Sequence, residues 1–399
     1  MVVVGGGVVG LSVAWHLLES GVQDVTVLER DRLGCGTTWH SAGHITWMPS
    51  PGIAAPIDYM IELVQKLTEE TGQNTGWRRT GRLFLATNEK AMTAWERQHS
   101  MAAELGVHGQ LLDPMDVRDH LPIVDPSAIV GAWLNPVSGR VNPTDLVAAY
   151  ARGIRSRGGK LIEACPVNEI RVTDSAISGV ATPRGPFEAD AVVVCAGIWS
   201  RRLLATAGLA VAHGACEHLY ALAEMEPPLP QGLPDFSCPE YLIYGREEVG
   251  GVMVGFFDEN AKHIELEHFP DDFSFGLLAE NWEQVASYYQ NAIRIFPRLE
   301  EAPVRLVNGP EAFTPDGLPL VGSVPGVNGL LVACGMNSSG VEYSGMVGSM
   351  VADQITGAEP RFRYDYRPAR FDRDQNDPGT IDSQMPDAPS SFYRAYFAS

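Results

Sequence analysis

Three glycines, Gly5, Gly7 and Gly10, stand in G-x-G-x-x-G spacing between an apolar run, "VVV", and a stretch with helical periodicity, "LSVAWHLLES". Gly21 stops that helix, and a second apolar run, "VTVLE", ends on Glu29. Strand, tight turn, helix and second strand within 30 residues leave few folds open. In such a unit the first glycine permits the turn, and the second lets a pyrophosphate reach the backbone. The third lets the helix pack on the strand. The helix N-terminus offers free N–H groups and positive potential to phosphates. An acid at the end of the second strand accepts a hydrogen bond from a ribose 2′-OH, and Glu29 stands there. The unit predicts a dinucleotide site rather than a structural turn.

NAD and FAD both satisfy that much, and the next stretch separates them. "GCGTTWHSAG", residues 34–43, is a second small-residue segment, for which a nicotinamide enzyme has no use. Gly36, Thr37 and Thr38 supply backbone amides and hydroxyls where the middle of a flavin dinucleotide would lie. Further close approaches come from Ala196 and Gly197, after the strand "EADAVVVCAG", and from Gly335, Asn337, Ser339 and Gly340, in "GLLVACGMNSSG". Arg30, beside the acid, and Val167, in "GKLIEACPVNEIRV", complete the expected cofactor set. Contacts from distant parts of the chain suit an extended cofactor such as FAD.

The nucleotide-type segments divide the chain. Residues 1–50, 140–210 and 305–360 read as a discontinuous FAD-binding domain, and 51–139 and 211–304 as a substrate domain. Helices are expected at 53–72, 89–105, 114–120, 142–158 and 276–297, and a strand at 81–87. Residues 213–258 alternate in strand fashion, "EHLYALAE", "EYLIYGREE", "GGVMVGFF", which predicts an antiparallel patch. The fold class is therefore α/β plus α+β: a Rossmann-like, glutathione-reductase-like FAD domain with an antiparallel-sheet substrate domain. Residues 361–399, rich in Arg, Asp and Pro, read as a C-terminal arm or linker.

Composition excludes other classes. A net charge of −20 argues against nucleic acid or an anionic membrane as partner. No apolar run reaches the length of a membrane span, and "MVVVGGG" has no basic flank, unlike a signal peptide. The six cysteines form no C-x-x-C pair and read as reduced, buried thiols in a cytoplasmic protein. The ten histidines do not cluster with them, so no metal site is expected.

With those residues in hand, the chain resembles the amine-oxidising flavoproteins of the D-amino-acid oxidase superfamily. Within it, the likeness is to the dimethylglycine and sarcosine dehydrogenase/oxidase branch, over most of residues 1–365. It is carried by "VVVGGGVVGLSVAWHL", "GTTWHSAG", "ADAVVVCAGIWS", "HLYALAE", "IYGREEVGGVMVGFF", "NGPEAFTPDGLPLVG" and "GLLVACGMNSSG". The resemblance implies that His40 carries the flavin covalently through its 8α-methyl; the alternative is an imidazole packed near the ring. It also implies catalytic roles for His218 and Tyr244, against a plain core histidine and a packing aromatic. The branch has Tyr-Glu where this chain has Phe257–Asp258, so this corner of the pocket differs. The implied reaction is oxidative demethylation of an N-methylated amino acid or related secondary or tertiary amine. Burial would favour the neutral amine, His218 would take its proton, relayed through Tyr244, and the iminium would hydrolyse to an aldehyde. Oxygen or an electron-transfer protein would accept the electrons, and a folate-binding domain or subunit, present in larger members, would be a partner. The alternatives are an oxidase of D-amino acids, glycine or cyclic imino acids, and a non-catalytic flavin-carrying subunit.

Overall fold

The run Val2–Val4 is buried on both faces because it lies inside a parallel sheet, where a continuous β-branched run is at home. It pairs in parallel with Thr26–Leu28 on one side and Val192–Val194 on the other. The computed structural model describes residues 1–372 and 374–398, with side chains up to residue 393. The six-stranded sheet runs Leu320–Ser323, Leu330–Cys334, Val192–Val194, Val2–Val4, Thr26–Leu28, Lys160–Ile162. Only its edge strand, Leu320–Ser323, is antiparallel. Strands from distant parts of the sequence thus flank the first strand, leaving a crevice beyond the strands' C-terminal ends. The helix Val8–Glu19 packs against the helix Ser344–Thr356 so closely that a Cβ at Gly348 would lie 2.4 Å from His16 Nδ1.

A nine-stranded, mostly antiparallel sheet forms the second layer. Its centre is the expected patch: Gly214–Ala223, Gly251–Phe256, Ile243–Glu248 and Asp235–Cys238. The long strand Val304–Phe313 pairs along all of Gly214–Ala223, setting His218 opposite Gly309 and Cys216 opposite Glu311. This mixture of parallel and antiparallel sheets is the fold class that the sequence indicates.

Local departures have physical causes. "GKLIEACPVNEIRV" is two strands in two sheets, Lys160–Ile162 and Glu169–Thr173. The helix expected from 276 starts at Trp282, capped by Asn281, whose side chain accepts from the Gln284 N–H. The helix after "GMNSSG" starts at Ser344, and within that motif Asn337 and Ser338 sit at φ of 49° and 65°, left-handed values that no right-handed helix includes. Residues 361–399, expected as an arm or linker, carry the helices Pro378–Gln384 and Ala388–Ala398. Ile381, Met385 and Ala388 recur at helical spacing and are buried against Phe313 and its neighbours. Among the described residues no helix is long and apolar enough to cross a membrane.

Candidate active site

A cavity of about 800 Å³ opens at the C-terminal ends of the parallel strands. Of the expected cofactor set, Gly5, Gly7, Glu29, Arg30, Gly36, Thr37, Thr38, Val167, Ala196, Gly197, Gly335 and Gly340 line it. Glu29 is held in place: one carboxylate oxygen accepts from Gly6 N–H at 2.7 Å, the other from Asp31 N–H at 2.9 Å. Thr38 Oγ1 accepts from Val8 N–H at 3.1 Å, tying the 37–40 turn to the first helix. The cavity thus runs from the Glu29 carboxylate, past the helix N-terminus, to Glu311 and Ser338. An elongated dinucleotide fits that course, with the Thr37–Thr38 turn beside its middle.

Four expected residues stand elsewhere. Gly10 lies behind the turn, where it allows the helix to approach the strand. Asn337 is fully buried, and its side chain accepts from Thr314 N–H at 2.9 Å and donates to Gly335 O at 2.8 Å. It therefore shapes the wall without facing the cavity. Ser339 and His40 line a second cavity. Arg30 lines the first, but its guanidinium donates to Asp271 O and Phe273 O and stacks on Trp199 at 3.7 Å. It braces the 271–275 segment as a wall.

The second cavity, about 90 Å³, shares Ser41, Glu311, Ser338 and Val341 with the first, so the two meet there. His218 and Tyr244 line it, with His218 Nε2 2.9 Å from the Tyr244 hydroxyl. Burial raises the Tyr244 phenol far above its ordinary range, so it stays protonated. Phe257 packs on Tyr244 with ring centroids 4.8 Å apart. Asp258 turns away to Gln284 Nε2 and the Tyr288 hydroxyl.

His40 is buried, and its ring rests on Gly309, where a Cβ would lie 2.2 Å from Cε1. Burial lowers its pKa, outweighing the attraction of Glu311; His218 adds to the lowering. The imidazole is neutral at pH 7.

Charged residues absent from the sequence reading complete the second cavity. Glu311 is buried, and among the described residues its Oε2 has no hydrogen-bond partner. The buried Arg82 donates to Ser237 Oγ, Thr46 Oγ1 and Phe236 O, and makes no ion pair among the described residues. Burial lifts the Glu342 carboxyl to about 7, against the opposing pull of Thr46 N–H and Arg82. Arg246, the arginine nearest Tyr244 in sequence, is committed to Ala42 O and Glu248. Tyr393, from the C-terminal helix, also lines this cavity.

Residues 1–354 match the family described as "FAD dependent oxidoreductase". The chain belongs to that family. It is 33% identical over 374 residues to sarcosine dehydrogenase, mitochondrial, of Homo sapiens, covering 90% of this chain and 40% of that protein. It is 30% identical over 364 residues to 4-methylaminobutanoate oxidase (formaldehyde-forming) of Paenarthrobacter nicotinovorans, covering 90% of this chain and 44% of that one. The chain thus spans well under half the length of these relatives. Among solved structures, L-proline dehydrogenase from P. horikoshii superposes with a TM-score of 0.80 at 26% identity, covering 94% of this chain and 97% of that one. FAD is the cofactor that the family's description names, and the long cavity carries the dinucleotide-type glycines and Glu29.

Proposed function

We propose that this FAD-dependent oxidoreductase demethylates a small N-methylated amino acid, with the flavin attached covalently to His40. The carrying observation is the hydrogen-bonded His218–Tyr244 pair in a small buried cavity that shares walls with the flavin cavity. Similarity to enzymes named for sarcosine and 4-methylaminobutanoate supports the substrate class. When bound, the flavin supplies the hydride acceptor. Glu311, whose Oε2 has no hydrogen-bond partner among the described residues, draws an alkylammonium into the cavity, and Arg82 faces the substrate's carboxylate. The amine must lose its proton before its lone pair can assist C–H cleavage. His218 Nε2 takes that proton, directly or through the Tyr244 hydroxyl. The electrons pass on to oxygen or an electron-transfer protein, and a folate-binding partner takes the one-carbon product.

Anaerobic mixing with sarcosine, dimethylglycine and related amines is expected to bleach the flavin band, with formaldehyde appearing in the medium. Bleaching by D-amino acids alone would refute the reading, and no bleaching by any amine would favour a non-catalytic flavin carrier. Acid precipitation is expected to leave a yellow pellet from the native protein and a colourless one from His40→Ala, its FAD released to the supernatant. A colourless native pellet would dispose of the covalent bond.

Glu311→Gln removes the charge but keeps a polar group of the same shape. It is expected to raise the amine concentration giving half-maximal bleaching by about tenfold, equivalent to about 1.4 kcal/mol. Bound FAD is measured on the same sample, because Glu311 also lines the long cavity. An unaltered concentration dependence would remove Glu311 from substrate binding.

A further inference from the structure

The C-terminal segment is docked by several independent contacts. Ile381 and Met385 are fully buried. Arg201 holds Asp382 through two hydrogen bonds, at 2.6 and 3.2 Å. Gly214 leaves room for the Met385 side chain, since a Cβ there would lie 2.5 Å from its Sδ. Gly317 likewise lies under Phe392, whose Cα would be 2.9 Å from an added Cβ. These contacts bring the helix Ala388–Ala398 over the second cavity, where Phe392 and Tyr393 form part of the wall. The Tyr393 hydroxyl lies 3.3 Å from His218 Nδ1, and its ring packs edge-on against Phe257 at 5.1 Å.

We propose that this C-terminal helix is part of the active site and that Tyr393 is a positioning residue for His218. This rests on the proposed role of His218 as proton acceptor. An imidazole can accept a proton at Nε2 only if its hydrogen sits on Nδ1. A buried Nδ1–H needs an acceptor, and the Tyr393 oxygen is the one at hand. His218 is thereby held between two phenols, Tyr244 at Nε2 and Tyr393 at Nδ1. Tyr393, in the segment whose composition reads as an arm or linker, is the third member of this group.

The experiment compares the native holoprotein with Tyr393→Phe and with Asp382→Asn, which loosens the anchor without touching the cavity. FAD content and circular dichroism establish that each variant is folded and loaded. Nitrogen-15 spectra of labelled histidine read the His218 tautomer without any amine present. The native protein is expected to show a single Nδ1–H form, and Tyr393→Phe a mixture or the Nε2–H form. Bleaching by sarcosine is expected to slow about tenfold in Tyr393→Phe and less in Asp382→Asn. An identical tautomer in native protein and Tyr393→Phe would overturn the proposal. Should the native protein fail to bleach with any amine, the amine reading falls, yet the tautomer comparison still decides the role of Tyr393.

Discussion

Replacing His218 by glutamine is expected to slow amine-dependent bleaching of the flavin by a factor of about 10²–10⁴, the range that a positioned proton acceptor contributes. That corresponds to about 3–5 kcal/mol of barrier. Glutamine can still hydrogen-bond Tyr244 but cannot take a proton near neutral pH. The Tyr244 phenol does not replace it, because burial keeps that hydroxyl protonated. Tyr244→Phe should therefore cost less than His218→Gln, as it removes a relay and leaves the acceptor. FAD should stay bound in both variants, since neither residue lines the long cavity. The check is a stopped-flow bleaching rate at saturating amine, with bound flavin measured on the same sample. A rate for His218→Gln within twofold of native would mean that the amine reaches the site already neutral, or loses its proton elsewhere.

The parts of this molecule legible in the sequence are those whose meaning is local. Gly5, Gly7, Gly10 and Glu29 lie within one strand–turn–helix–strand unit, and the spacing alone states their geometry. His218 and Tyr244 were reached through motif likeness. What makes them a pair is strand register, with Tyr220 and Tyr244 both opposite Gly255. Glu311 stands inside a motif that says nothing of its surroundings. Its position at the junction of two cavities comes from the pairing of Val304–Phe313 with Gly214–Ala223, about 90 residues away in sequence. Arg82 reads as part of a strand, because nothing near it in the chain states that it lines a cavity. Arg30, beside the ribose acid, reads as a cofactor contact and lines the long cavity, while its guanidinium donates to a segment some 240 residues later, a tie that nothing near it in the chain states. In the tail, Ile381, Met385 and Ala388 carried a helical stripe, but Asp, Pro and Ser between them gave the composition of a linker.

The other large effect concerns the flavin cradle and separates packing from cofactor contact. Gly10→Ala would set a Cβ 2.0 Å from Gly5 O, in the turn, and 3.2 Å from Cys195 Cβ, just after the strand Val192–Val194. Backbone oxygen cannot yield as a flexible side chain would, so the helix Val8–Glu19 must lift off the first strand. Overpacking of this kind costs about 1–3 kcal/mol, occasionally more. The variant is expected to be purified without FAD and to unfold at a lower temperature even as apoprotein. Gly197→Val offers the contrast. Apart from its chain neighbours, its Cβ would meet no protein atom within 4 Å, and Gly197 lines the long cavity. At φ of +54° the substitution adds backbone strain of roughly 1–2 kcal/mol. Its larger consequence is that the valine occupies space where the cofactor would lie. Here the apoprotein should stay folded with a small thermal shift, while FAD retention falls by at least tenfold. One glycine behind the turn and one on the cavity wall would thus fail by different routes, read by apoprotein melting against flavin absorbance. Full FAD occupancy in Gly197→Val would show that this part of the cavity is not the cofactor's path, and the assignment of the long cavity would have to be redrawn.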